Sequence, residues 1–428
     1  MSWTHVAALV VFAGAYVLIA TERVHRVAAA LGGAALMLAL GLSDGSAAFY
    51  SADTGIDWNV IFLLFGMMVI VGVIRRTGLF EALAIHAAKR ARGRPFLVLV
   101  LLVVITAVAS ALLDNVTTVL LVAPVTFLVC ERLGLPVTPY LIAEVMASNI
   151  GGTATLIGDP PNIIIGSRAG LTFNDFLLNT APFSVLMTLV LVALCRVLFR
   201  RSFVADPTLV AEVMALSERE AISDWRLMWQ SVGVLLVVLL GFVLHPVLHY
   251  EPSVVALLGA GLLVLISRVT TEDALADVEW ETLVFFMGLF VMVGALVESG
   301  IIGALSDWLS GALGDNTELT ALVLLLASMV LSGVIDNIPY VATMAPVVAE
   351  LARHQSGGDP HVLWWALALG ADLGGNATAV GASANVVVLG LARRYGSPIS
   401  FWQFTRYGVV VTLASAVLAV PWLLLRYF

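Results

Sequence analysis

Two Asp-Asn pairs, Asp114-Asn115 in "ALLDNVTTVLLVAP" and Asp336-Asn337 in "GVIDNIPYVATMAP", interrupt stretches that are otherwise apolar from end to end. Asp159 and Asp372 sit in two further stretches of the same kind, and Glu144 lies on the approach to one of them. A carboxylate at the centre of a bilayer costs roughly several kcal/mol, so each acid is a functional candidate. The same stretches contain no Lys or Arg to pair with these acids. Out of water a carboxyl group favours its neutral form, which suits a group that takes up and releases protons. Beside asparagine, threonine and free backbone carbonyls it also makes a hard-oxygen site suited to sodium. A plainer role is compatible with both: an Asp just before a helix accepts hydrogen bonds from free backbone N–H groups. Asp114 and Asp336 stand where a second helical arm would begin.

The acids keep company with glycine. Gly151-Gly152-Thr153-Ala154-Thr155 runs on to Gly158, Asp159 and Asn162, and Gly374-Gly375-Asn376-Ala377-Thr378 runs on to Gly381, Ser383 and Asn385. Glycine pairs weaken a helix and let backbone approach a ligand closely, and Pro160-Pro161 suits the first turn of a restarted helix. Unwound backbone survives in a membrane where it is buried in protein or lines a wet cavity. Its carbonyls can hold a cation and a half-helix N-terminus an anion. Close helix packing is the competing explanation of a glycine pair. Asn149, Thr117 and Thr118 complete the set of oxygen-bearing candidates.

The elements that must position these residues follow from composition. With 61% hydrophobic and 12% charged residues, the 428-residue chain falls outside the range of soluble globular proteins. Apolar stretches of about 17 to 25 residues, the length of a membrane-crossing helix, recur throughout. Crossings are expected near 5–20, 27–43, 58–75, 139–166 and 180–199, then 228–248, 254–268, 281–297, 361–388 and 405–425. The stretches 96–131 and 320–351 are each long enough for a helix–turn–helix hairpin broken at Asp-Asn. If both hairpins re-enter on the side they left, the basic residues segregate. Arg23, Arg26, the run from Arg75 to Arg94, Arg132, Arg196 to Arg226, Arg268, Arg393, Arg394 and Arg406 fall inside, and Arg168, Arg353 and Arg426 outside. That is the positive-inside bias, with both termini outside and the acidic loop 298–319 among the outside loops. The stretch 79–94, which holds His86, reads as an amphipathic surface helix against anionic lipid. His245, His249 and His361 read as interfacial packing residues. Cys130 and Cys195 support neither a disulfide framework nor a metal cluster, and no cofactor or nucleic-acid partner is implied.

The chain is internally repeated. "WNVIFLLFGMMVIVGVIRRTGLF" (58–80) aligns with "WETLVFFMGLFVMVGALVESGII" (280–302), so that Gly66, Gly72 and Gly78 meet Gly288, Gly294 and Gly300. At the same offset Asp114-Asn115 meets Asp336-Asn337, and one residue later "SNIGGTATLIGDPPN" meets "ADLGGNATAVGASAN". Five crossings and a hairpin per copy make the second copy start on the opposite side. The copies are then inverted, 1–201 and 228–428, joined by a cytoplasmic linker 202–227. Inverted repeats with broken helices are a signature of secondary transporters.

At these residues the chain resembles the ion transporter superfamily, which includes divalent-anion/sodium symporters, arsenite permeases, NhaD-type sodium/proton antiporters and the melanosomal P-protein group. The resemblance is strongest to the P-protein and arsenite-permease-like group. It rests on "LLDNVTTVLLVAPVTF", "IAEVMASNIGGTATLIGDPPNIII", "IDNIPYVATMAPV" and "LGGNATAVGASANVVV", and runs through both repeats. It implies an all-α polytopic fold of two inverted five-helix repeats, each with a re-entrant hairpin and a broken helix, working as a homodimer in which a transport domain moves on a scaffold like an elevator. It carries ion binding, sodium included, onto Asp114-Asn115 with Gly151–Thr155 and Gly158, and onto Asp336-Asn337 with Gly374–Thr378 and Gly381. The tips of dicarboxylate symporters read Ser-Asn-Thr where this chain has Asp-Asn-Val and Asp-Asn-Ile, and added acids without a base would repel a dianion. "GASAN" in place of "GDPPN" makes the two sites unequal. The expectation is a secondary transporter of an inorganic ion or small anion, coupled to protons or sodium, in a bacterial inner membrane. A sodium/proton antiporter, a passive channel and, from another class, an intramembrane aspartyl protease are the alternatives.

Overall fold

Every long apolar stretch becomes a helix, and the polar interruptions become the breaks between helices. The computed structural model describes residues 3–21, 23–204, 214, 217–314, 316–354, 359 and 361–428. Helices α1 (Trp3–Thr21), α2 (Arg26–Ala39) and α3 (Trp58–Arg76) come first, followed by the shorter α4 (Leu79–Arg90). Then come a hairpin, α5 (Pro95–Leu112) and α6 (Asn115–Leu133), a broken pair, α7 (Val137–Gly152) and α8 (Pro160–Ala169), and α9 (Ala181–Leu198). The second half repeats this order. It has α10 (Trp225–Val243), α11 (Pro252–Ser267), α12 (Trp280–Glu298) and α13 (Ile301–Leu313). Its hairpin is α14 (Thr317–Val334) with α15 (Asn337–His354), its broken pair α16 (Val362–Gly374) with α17 (Ser383–Arg394), and α18 (Phe401–Tyr427) ends the chain.

Among the described residues, 9 helices are long and apolar enough to cross a membrane. The buried share of each span separates inner from outer positions: 72% for α3 and α12, against 17% for α1. The halves interlock by exchange. Helix α3 packs on α11 and α12 on α2, while the second hairpin arms reach across, α6 to α17 and α15 to α8. Glycine permits the first exchange. A Cβ on Gly66 would lie 2.7 Å from the Ala256 backbone, and one on Gly288 2.9 Å from that of Ala30. Small residues at such crossings let helix backbones touch.

Four details differ from the sequence expectations. The crossing expected at 27–43 ends at Ala39, because Gly41 adopts φ +68 and turns the chain. The crossing expected at 228–248 stops at Val243, and the turn His245–Leu248 around Pro246 follows as a separate piece. The stretch 298–319 contains the helix α13 where an acidic loop was expected, and Asp315 lies outside the described residues. Residues 205–213, 215 and 216 of the linker 202–227 also lie outside them, but its later part forms a short helix, Glu218–Ala221, packed on α4. Glu218 meets Lys89 at 2.8 Å and His86 at 3.6 Å, so part of the basic face of α4 is turned to protein, while Arg90, Arg92 and Arg94 stay exposed.

Candidate functional site

The hairpin tips and the helix breaks converge on one buried polar cluster. At the first tip, Leu113 and Asp114 are extended, and Asp114 caps α6 by accepting from the Thr117 N–H at 2.8 Å. Asp336 does the same for α15, accepting from the Ile338 N–H at 3.0 Å. Capping is therefore part of what both residues do. The asparagines that follow point inward. Asn115 donates its side-chain amide to Asp159 Oδ2 at 2.8 Å and to Asn149 Oδ1 at 3.2 Å. Asn337, from the other half, donates to that same Asp159 oxygen at 3.2 Å.

Asp159 stands just before α8 yet makes no capping bond to it. Its carboxylate is instead shared by the two tips. Asn149 carries the network across the halves, donating to Asn376 Oδ1 at 3.0 Å and to Asn385 Oδ1 at 3.1 Å. Asn162 and Asn385 play matching parts in the two breaks. The first bonds the carbonyls of Gly152 and Thr155 at 3.2 and 3.1 Å, the second those of Gly375 and Thr378, both at 2.8 Å. Each asparagine thus spends both amide protons on holding its unwound segment in shape.

Several candidates act as frame. The Thr155 and Thr378 hydroxyls bond back to the first arms of their own hairpins, at Ala111 O (2.5 Å) and Gly333 O (2.7 Å), and Thr153 bonds Asn149 O at 2.9 Å. The first glycine of each pair serves packing: a Cβ on Gly151 would lie 2.2 Å from Ala107 O, and one on Gly374 2.5 Å from Met329 O. The second glycines, Gly152 and Gly375, face Gly158 and Gly381 across the breaks. The backbone N–H of Asn337 also donates to Gly381 O at 3.2 Å.

What stays unpaired in the cluster is mainly oxygen, together with one amide nitrogen, Asn376 Nδ2. Asp159 Oδ1, both carboxylate oxygens of Asp372, Asn162 Oδ1 and Thr118 Oγ1 are buried with no hydrogen-bond partner. Asp372 lies beside Asn162 and Thr153, whose protons are already committed. Buried oxygens of this kind fit a small cation or protons, because uncompensated burial of a carboxylate is costly. No group of three His, Cys, Asp or Glu among the described residues could hold a metal ion. Cys130 and Cys195 are free and buried.

A residue outside the apolar stretches reaches the second tip. Arg26, at the start of α2, donates to Ser383 Oγ at 3.0 Å, and Ser383 donates to Asp336 Oδ2 at 2.5 Å. Arg26 also lies 5.7 Å from the centre of the Phe285 ring. These residues line a cavity of about 360 Å³ with His25 and Glu281. Sequence reasoning counted Arg26 as an orientation marker and found no base near the acids. The base comes from the start of the chain, 357 positions before the Ser383 that links it to Asp336. Glu279, just before α12, likewise stands at the first tip, 3.5 Å from Thr117 Oγ1 and 3.0 Å from Thr282 Oγ1. The only signal for either residue was its position at the mouth of an apolar helix.

Residues 16–370 match the citrate transporter family. The chain belongs to this family. As a citrate transporter family member it is 57% identical over 425 residues to an uncharacterized transporter of Mycobacterium tuberculosis, covering 99% of both chains. It is 35% identical over 499 residues to the P protein of Homo sapiens, covering 98% of this chain and 60% of that one. Among solved structures it resembles the YdaH transporter of Alcanivorax borkumensis, with a TM-score of 0.62 at 18% identity, covering 97% and 98% of the two chains. That likeness concerns the fold. This family member is an integral membrane transporter and not an enzyme, so the aspartyl-protease alternative falls.

Proposed function

We propose that the chain is a secondary active transporter that couples a proton or sodium gradient to the movement of an inorganic ion or small anion. One observation carries the reading. A single buried carboxylate oxygen, on Asp159, accepts from both hairpin tips, so the polar cluster is built from both halves of the chain at once. A polar site where two repeats meet, built on broken helices, suits alternating access. The unpaired oxygens of Asp159, Asp372 and Asn162 suit the coupling ion, sodium or proton. Arg26 at the cavity offers a positive group to an anion, which weakens the objection that acids alone would repel one.

The exchange packing of α2, α3, α11 and α12, and of α6, α8, α15 and α17, supports two inverted repeats, 1–201 and 228–428. In this reading the first group forms the scaffold and the hairpins with the broken helices form the moving part of an elevator. A homodimer in a bacterial inner membrane, with both termini outside, completes it. A sodium/proton antiporter is the second reading. It is favoured by the Asp159 and Asp372 oxygens, which have no basic partner among the described residues.

Flux in proteoliposomes under imposed pH and sodium gradients tests this, with citrate, arsenite and sodium as probes. Uptake driven by either gradient supports coupled transport. Downhill flux indifferent to both gradients would mean a passive channel.

A further inference from the structure

A second buried acid lies away from the tips. Glu144 is in the middle of α7, five residues before Asn149, or about 7–8 Å of helix rise. It is 2% exposed. Its Oε1 accepts the Thr126 hydroxyl from α6, and its Oε2 is buried with no hydrogen-bond partner.

Among the described residues no counter-charge acts on it, and Glu131 and Arg132 at the end of α6 are exposed. From α6 the Cys130 thiol stands beside it, and α5 contains no titratable residue. On α9, Arg196 is turned to the Phe96 ring at 4.6 Å, and Cys195 is a buried thiol. On α16 the only acid, Asp372, lies by Asn162 and Thr153, and on α17 Arg393 and Arg394 are exposed in the last turn. On α7 itself, Tyr140 donates to Pro95 O at 3.0 Å.

Packing does not require an acid here. The offset that pairs Asp114 with Asp336 carries Thr126 to Val348, and the offset that pairs Gly151 with Gly374 carries Glu144 to Leu367. Val348 and Leu367 are both fully buried. The second half therefore fills the equivalent place with hydrocarbon. A buried carboxyl with one oxygen open is costly where Leu would serve.

We propose that Glu144 is a proton-binding site of the transport cycle, separate from the tip cluster and present in the first half only. The step is a plain protonation: a proton adds to Oε2, forming an O–H bond, and leaves again as the carboxylate is restored. The exposed turn at Gly134 and Pro136, about 10 Å of helix rise from Glu144, is the nearest surface along α7. This rests on the coupled-transport reading for its role, but titration of Glu144 can be read without transport.

Two measurements on the full-length protein in lipid test it. Infrared difference spectra on acidification should contain a carboxyl C=O band that is missing from Glu144→Gln. In proteoliposomes, Glu144→Gln and Glu144→Leu, the latter copying the second half, should lose proton movement down to the level of protein-free liposomes while remaining folded. An unchanged infrared difference in Glu144→Gln, or unchanged proton movement in Glu144→Leu, overturns the proposal. If the wild-type protein shows no gradient-driven flux, the coupled-transport reading fails, and the infrared band still decides whether Glu144 titrates.

Discussion

Asn337 donates its side-chain amide to Asp159 at 3.2 Å, although 178 positions of sequence separate them. The bond ties the second hairpin to the first broken helix, and it shares its acceptor with Asn115. Because both donors use one oxygen, their contributions should not add. Asn115→Ala and Asn337→Ala are each expected to cost about 1–3 kcal/mol, as removing one partner of a buried hydrogen bond does. A double-mutant cycle on thermal unfolding in detergent should then show a coupling above roughly 0.5 kcal/mol. Strict additivity would mean that the tips do not share Asp159 in solution.

Asparagine caps a helix about as well as aspartate. Asp114→Asn should therefore keep the bond from Thr117 N–H and leave thermal stability within about 1 kcal/mol of wild type. Coupled flux should nonetheless fall, if the charge is used in transport. Normal flux in this variant would reduce Asp114 to a cap.

Gly151 has no room for a side chain, since a Cβ would come within 2.2 Å of a backbone carbonyl. Gly151→Ala is expected to destabilise by about 1–3 kcal/mol through overpacking. Gly390, on α17, has nothing within 4 Å of the corresponding position and serves as the control. Gly390→Ala should leave the unfolding temperature unchanged or slightly raised, since Ala is the better helix former.

Arg26 reaches Asp336 through Ser383 and lines the cavity. Arg26→Ala removes the cation and should raise the substrate concentration needed for half-maximal uptake of an anion. Arg26→Lys keeps the charge without the planar fork of donors, so partial recovery is expected. Equal uptake by all three proteins would assign Arg26 to framing the second tip.

The Lys89 ammonium beside Glu218 holds that carboxyl below its usual range, with a smaller effect from His86. A depressed carboxyl stabilises the fold above its ordinary value and loses this contribution as pH falls through the folded value. For a pair this exposed the contribution is under about 1 kcal/mol. Acidification should thus lower hydrogen-exchange protection of Glu218–Ala221, and Glu218→Gln should remove that dependence. Protection that rises on acidification would contradict the sign.

Much of the molecule was legible in the residue order. The spans, the breaks at Asp114 and Asp336, the two glycine-rich interruptions and the repeat all depend on neighbours within a turn or two of helix. Apolar length makes a span, and a Gly-Gly or Asp-Asn in it makes a break, whatever lies across the bundle. The polar residues that crowd the cluster were recognisable too, since few other reasons place Asn149, Asp159 or Asn385 in such surroundings.

Which atoms meet was a different matter. Two mirrored sites were expected, one per half; the structure joins them, because Asn337 crosses to Asp159 and Asn149 crosses to Asn376 and Asn385. Arg26 and Glu279 joined the tips from the starts of α2 and α12. The division of labour between Gly151 and Gly152 also emerged only from the neighbour each one faces. Such contacts depend on how helices from opposite ends of the chain cross, which is set by close packing over whole surfaces. Local residue order carries no record of that geometry, so the chain announced its polar residues while the fold chose their partners.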